Sequence, residues 1–187
     1  MVSPGFEASH YNSLIFGEHL IGNLAGYEEK VQQIIASIYD SAKAFSVRDR
    51  DGGPEEIDDL LPIVRCRLSC RAAENLLLSD DVLRFLGTTW DEVKSGIEKW
   101  LEINEGHKHF EILNSFRRDG FNRKFFDLKD VRNDLMGIIA SSKPWEVAVG
   151  QAIGHLNLTS LDEGSDSLTS YLGQKLVTQI LGGMVPD

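Results

Sequence analysis

Apolar residues recur along most of the chain in steps of three and four, the period of an amphipathic helix with one buried stripe. Clusters rich in glycine, aspartate and proline separate these stretches and predict loops, as at 48–54 and at Asp119-Gly120. The predicted helices cover 27–45, 54–78 with a kink at Pro62, 79–85, 89–103, 110–116, 121–140, 144–158 and 165–181.

Strands are not predicted, because strict alternation of apolar and polar residues is nearly absent and β-branched residues do not cluster between turn signals. The 187 residues suffice for one well-buried core. The expected fold is therefore all-α, a single-domain bundle of six to eight helices with short connections. Residues 1–26 are expected to form an N-terminal arm that packs on the body, and residues 27–187 the bundle.

The charge of the chain is acidic and unevenly distributed. Asp and Glu total 29 against 19 Lys and Arg, a net charge of −10, which argues against a protein held on nucleic acid by bulk electrostatics. Residues 117–132 nevertheless hold six Lys/Arg and three Asp. Any ligand-binding contact with RNA is therefore expected at Arg117, Arg118, Arg123 and Lys124. The alternative for this basic stretch is a solvated helix face with ordinary i,i+4 pairs.

Cysteine and histidine spacing gives little sign of a metal. Cys66 and Cys70 are four residues apart and are predicted to lie on one helical face as small buried residues. A metal site would join them to His107 and His109, but structural zinc sites usually have tighter cysteine pairs, and His-Lys-His is a short motif. No metal and no other cofactor are expected.

Arg132 lies in line with the apolar stripe of the predicted helix 121–140, and Asn133 follows it. Burying an unpaired guanidinium is costly. Arg132 is therefore expected to have a phosphate ligand, a path to solvent, or a carboxylate partner such as Asp127, Asp134 or an acid of a neighbouring helix.

The segment DVRNDLMG, Asp130 to Gly137, resembles the active-site helix of the HEPN superfamily, in which an arginine and a polar residue, often asparagine, precede a histidine. The resemblance covers about 54–142. It implies a helical bundle that cleaves RNA without metal at a dimer interface: the histidine moves the 2′-hydroxyl proton, and the arginine stabilises the phosphate. Here Gly137 stands where the family has the histidine, so the resemblance implies an inactive or degenerate member that retains Arg132 and Asn133.

Glycine within a helix indicates either a close helix approach at Gly137 or a tolerated defect. If the chain is active, His155 on the next predicted helix is the candidate replacement, and the catalytic set is Arg132, Asn133 and His155. The resemblance leaves activity uncertain and favours a protein that is not an enzyme.

Three functions follow. The first is a non-catalytic module that binds RNA, a nucleotide or a partner, in a toxin–antitoxin or antiviral defence system. The second is an acidic protein-interaction module, such as an immunity, antitoxin or inhibitor protein, whose acids, Glu55 to Asp59 among them, engage a basic partner. The third is a metal-independent endoribonuclease that uses His155. A protein partner or a homodimer, a cytoplasmic location and no membrane contact are expected.

Overall fold

Helices dominate the fold, and a pair of short strands lies near its start. The computed structural model describes residues 24–38, 43–156 and 164–181. Residues 1–23, most of the predicted N-terminal arm, lie outside them. In chain order the elements are α1 (Leu24–Ile38), β1 (Ala44–Arg48), β2 (Ile63–Arg67), a 3₁₀ helix (Ala73–Leu78), α2 (Asp80–Phe85), α3 (Trp90–Ile103), α4 (Phe110–Arg118), α5 (Arg132–Ile138), α6 (Trp145–Gly154), α7 (Leu168–Leu172) and α8 (Gln174–Leu176), which continues as a π turn (Val177–Leu181).

The all-α prediction was wrong, because β1 and β2 form a two-stranded parallel sheet. Their register runs from Ala44 opposite Ile63 to Arg48 opposite Arg67. Helix had been predicted over all of β2 and over the first two residues of β1, Ala44 and Phe45. A short apolar run cannot be assigned from its period alone, and β-branched residues such as Ile63 and Val64 favour a strand when a partner strand is available. The fold is mixed α and β.

A buried carboxylate joins α1 to both strands. Glu28 of α1 accepts hydrogen bonds from Arg48 of β1 at 2.5 Å and from Arg65 of β2 at 2.7 Å. Burial alone would raise the pKa of Glu28, but the hydrogen bonds from Arg48 and Arg65 hold it below its usual value. Glu28 is therefore a charged link between helix and sheet.

The predicted apolar stripe of this helix is partly wrong, since Val31 and Ile34 are exposed.

The core lies beneath the sheet, between the 3₁₀ helix and α2 to α8. Its largest fully buried side chains include Tyr171, Phe116 and Leu76. The helix predicted over 89–103 is confirmed as α3, and Thr89 caps it through a reciprocal capping box with Glu92. In the part of the chain that the structure describes, no helix has both the length and the apolar character needed to cross a bilayer.

The helix predicted over 121–140 is mostly absent, since only Arg132–Ile138 is helical. Gly120, which follows the C-cap of α4, has a left-handed φ of +68°, and Phe121 has a left-handed φ of +58°, so no helix continues through this turn. The buried Asn75 side chain donates to the carbonyl oxygens of Arg123 at 2.8 Å and Phe126 at 2.9 Å. Because this asparagine satisfies backbone groups that a helix would otherwise pair, the turns before α5 are stable. Arg132 consequently begins a short helix instead of lying within a long one.

Candidate functional site

Arg132 pairs with a carboxylate of a neighbouring element, one of the partners expected from the sequence. Its Nη1 lies 3.6 Å from Oε1 of Glu74 on the 3₁₀ helix and donates to the Lys129 carbonyl oxygen at 2.6 Å. The Glu74 side chain is only 5% exposed, whereas that of Arg132 is 21% exposed. The guanidinium therefore neutralises a buried acid while one side of it still reaches solvent.

The two acids named beforehand as Arg132 partners bind elsewhere. Asp127 pairs with Arg71 at 2.9 Å, and Asp134 lies 2.5 Å from Nδ1 of His109. Sequence spacing favoured them because both lie close to Arg132 along the chain. The observed partner is distant in sequence and is brought close by packing of the 3₁₀ helix.

A second, half-buried acid lies near Glu74. Asp49 follows β1, and its Oδ1 accepts the backbone N–H of Ala73 at 2.9 Å, at the start of the 3₁₀ helix. Burial raises the pKa of Asp49 to about 6; the negative charge of Glu74 raises it further, whereas the Ala73 hydrogen bond and Lys129 lower it.

We call Asp49, Glu74, Lys129 and Arg132 the Arg132 cluster. Its chemistry combines a carboxyl group that titrates near neutral pH with a partly exposed guanidinium. The first can exchange a proton and the second can bind an anion. No sequence pattern identified either acid, because Asp49 falls in a predicted loop and Glu74 in the predicted helix 54–78.

Two residues of the motif that follow Arg132, Asn133 and Gly137, are exposed. A Cβ built at Gly137 would meet nothing within 4 Å. The suggestion that Gly137 allows a close helix approach is therefore wrong. The close approach is at Gly96 of α3, where a Cβ would lie 2.5 Å from Cγ2 of Ile138 on α5.

His155 contacts a different part of the molecule. It caps the C-terminal end of α6, is exposed, and stacks on the Phe85 ring with 5.5 Å between centroids. Lys143 lies over the same ring at 5.0 Å. These contacts join α6 to α2, whereas Arg132 contacts the 3₁₀ helix. A catalytic role for His155 stays a prediction, and none of the contacts described for His155 reaches Arg132.

Arg123 is the most buried of the four predicted ligand-binding cations. Its guanidinium contacts Asp80 at 2.6 Å and Asp166 at 3.0 Å, and it donates to the Leu78 carbonyl oxygen at 3.0 Å. The same group lies 4.7 Å from the ring centroid of Trp90. These contacts connect the start of α2, the segment before α7 and the core.

The other three cations lie in separate environments. Lys124 donates to the Ser170 carbonyl oxygen at 2.9 Å, and Arg117 contacts Glu98 at 3.1 Å and Asn114 at 2.7 Å. Arg118 is exposed at the end of α4. Binding of a ligand by these residues stays a prediction, and for Lys124 and Arg117 it would compete with existing contacts.

Both cysteines are free and buried, as predicted, but they do not share a helical face. Cys66 lies on β2 and Cys70 follows it, and burial raises the pKa of both thiols. A different group with metal-ligand chemistry, His107, His109 and Asp134, is assembled in the described part of the chain. Its only sequence signal was the His-x-His spacing, because Asp134 joins it through the packing of α5.

Comparison of the chain with protein-family models, with curated proteins and with solved structures gives no match.

Proposed function

We propose that the chain is a non-catalytic module that binds a basic surface of a protein partner through its carboxylates. The observation that carries this proposal is a difference between the arginines and the acids in how many have partners within the chain. Most arginines are engaged inside the molecule, whereas many acids face solvent.

Most arginines have a carboxylate or carbonyl partner within the chain. Glu28 takes two of them, and Arg123 and Arg132 bind buried or half-buried acids. Further arginines with carboxylate or carbonyl partners are Arg50, Arg67, Arg71, Arg84 and Arg117. A phosphate group would have to compete with these contacts, which weakens the case for RNA as the ligand.

The acids of the β1–β2 loop are arranged differently. Asp59 binds Lys175 at 2.7 Å and Glu55 accepts a hydrogen bond from Ser69, so both ends of this acidic segment are fixed. Between them Glu56 and Asp58 are exposed. We call residues 55–59 the acidic loop. A fixed loop loses little conformational freedom on binding, which favours recognition of a basic partner.

The test is affinity capture from the source cells with the wild-type chain, a Glu56→Gln/Asp58→Asn variant and a Glu146→Gln control, whose exposed acid lies on α6. We expect a protein retained at low salt, lost at high salt, lost with the loop variant and kept with the control, with no effect of ribonuclease treatment. Retention that ribonuclease abolishes, or that the loop variant leaves intact, would contradict the proposal.

Residual RNA chemistry at the Arg132 cluster is the second candidate, because Asp49, a carboxyl with a pKa of about 6, is close enough to Glu74, the ion-pair partner of Arg132, for the Glu74 charge to raise that pKa. A ribonuclease assay with metal chelated separates the two. We expect no cleavage by the wild-type chain. Cleavage lost in Asp49→Asn or in His155→Ala would favour the nuclease and identify its base. The HEPN relationship and a role in a toxin–antitoxin or defence system stay predictions.

A further inference from the structure

Two histidines of the α3–α4 connection lie against an aspartate of α5. His107, His109 and Asp134 each offer one ligand atom, and these atoms all lie within 4.8 Å of one another. The close approach of α3 to α5 at Gly96 brings the three residues together, although Asp134 lies 25 positions after His109 in the sequence. The geometry points to a binding site for a divalent transition-metal ion of the Zn²⁺ class.

Nitrogen atoms of both imidazole rings lie close enough to the cluster to bind an ion. Nδ1 of His107 accepts the backbone N–H of His109 at 3.2 Å, a long hydrogen bond that a bond to a metal ion can replace. Nδ1 of His109 lies 2.5 Å from Oδ2 of Asp134. The carboxylate can bind the ion beside His109, or it can hold the Nδ1 proton and leave Nε2 to bind.

The distances suit a small ion after a modest adjustment. Zinc binds histidine nitrogen and carboxylate oxygen at about 2.0–2.2 Å, which separates two ligand atoms by about 3.3 Å in a tetrahedron. The ligand atoms all lie within 4.8 Å of one another, so the longest separation exceeds this by at most about 1.5 Å. The 2.5 Å between His109 Nδ1 and Asp134 Oδ2 is shorter and must widen if both atoms bind the ion. His107 is exposed, so rotation of its ring can close the gap, whereas His109 and Asp134 are half-buried and already in contact.

The ligand types select the ion. Two imidazoles with one carboxylate favour zinc, copper, nickel or iron(II), whereas magnesium and calcium prefer oxygen ligands throughout. Three protein ligands leave a coordination position for water. This inference departs from the sequence-based expectation of no metal, which considered the two buried cysteines and lacked Asp134. It is independent of the proposed partner-binding function.

Calorimetric titration of Zn²⁺ into the chelator-treated full chain tests the site. We expect saturable binding of one ion with a dissociation constant below about 10 µM. His107→Ala, His109→Ala and Asp134→Asn should each weaken binding by about tenfold or more. The matched control is His155→Ala, which removes an exposed histidine outside the cluster and should leave binding unchanged. Absence of saturable binding, or equal binding by the cluster variants and the wild type, would overturn the inference.

A second measurement leaves the three ligand residues unchanged and so does not depend on how well their variants fold. The Trp100 ring lies 5.0 Å from the His107 ring, so bound Cu²⁺, which quenches nearby indole emission, should quench Trp100. We expect saturable quenching in the wild type that is largely lost in Trp100→Phe, although Trp90 and Trp145 still emit. Quenching that persists in Trp100→Phe would place the ion elsewhere and overturn the assignment.

Discussion

Glu74 and Arg132 form an ion pair between the 3₁₀ helix and the first residue of α5, with 3.6 Å between Oε1 and Nη1. The acid is buried and the arginine reaches solvent on one side. Arg132 therefore supports the fold before it can serve any ligand.

Replacing Arg132 with alanine should destabilise the protein, because it leaves the Glu74 carboxylate buried without its cation. We expect a loss of about 1–3 kcal/mol in the free energy of unfolding, measured by urea denaturation. The double variant Glu74→Gln/Arg132→Ala should lose less than the sum of the single changes. An Arg132→Ala variant as stable as the wild type would contradict the structural role.

Arg123 should be the most sensitive of the basic residues between 117 and 132. Arg123→Ala leaves Asp80 and Asp166 without their shared cation and removes the contact with Trp90, and we expect a loss of about 3–5 kcal/mol. Arg123→Lys should restore only part of it, because lysine lacks the planar fork. The control, Arg118→Ala, should change stability by less than about 0.5 kcal/mol. Similar effects of the two alanine changes would refute this ranking.

Asp49 should make stability depend on pH. Burial raises its pKa from 3.8 to about 6, so its contribution is fully present below the unfolded-state value and is lost as pH rises through about 6. Asp49→Asn mimics the protonated form and keeps an oxygen to accept the Ala73 N–H. We expect a gain of about 1 kcal/mol at pH 7.5, an amount that allows for solvent screening, and a smaller gain at pH 4.5. Urea denaturation at both pH values checks this, and an equal gain at both would contradict it.

Two glycines should respond oppositely to alanine. Gly137→Ala places a methyl group in open space on α5 and should stabilise the protein by about 0.5–1 kcal/mol. Gly96→Ala forces a Cβ to within 2.5 Å of the branched Ile138 side chain and should destabilise it by about 1–3 kcal/mol. Thermal unfolding of the pair measures both signs. Destabilisation by Gly137→Ala would show that α5 has an unrecognised neighbour.

Local signals predicted some elements well and failed where a distant residue controls the backbone. Thr89 with Glu92 fixed the start of α3, because a capping box is complete within four residues. The turns before α5 depend on Asn75, which satisfies the backbone oxygens of Arg123 and Phe126. The period of the apolar residues in that segment indicated a helix, and no local feature identified the competing asparagine.

By itself the sequence determined the acidic charge, the burial of both cysteines, the breaks at loops and the ends of α2 and α3, because these follow from composition or from neighbours along the chain. Only the tertiary structure decided the parallel pairing of β1 with β2, the Glu74 partner of Arg132 and the meeting of His109 with Asp134. Each of these joins residues far apart in the chain, and such contacts depend on the packing of whole elements, which residue spacing does not encode.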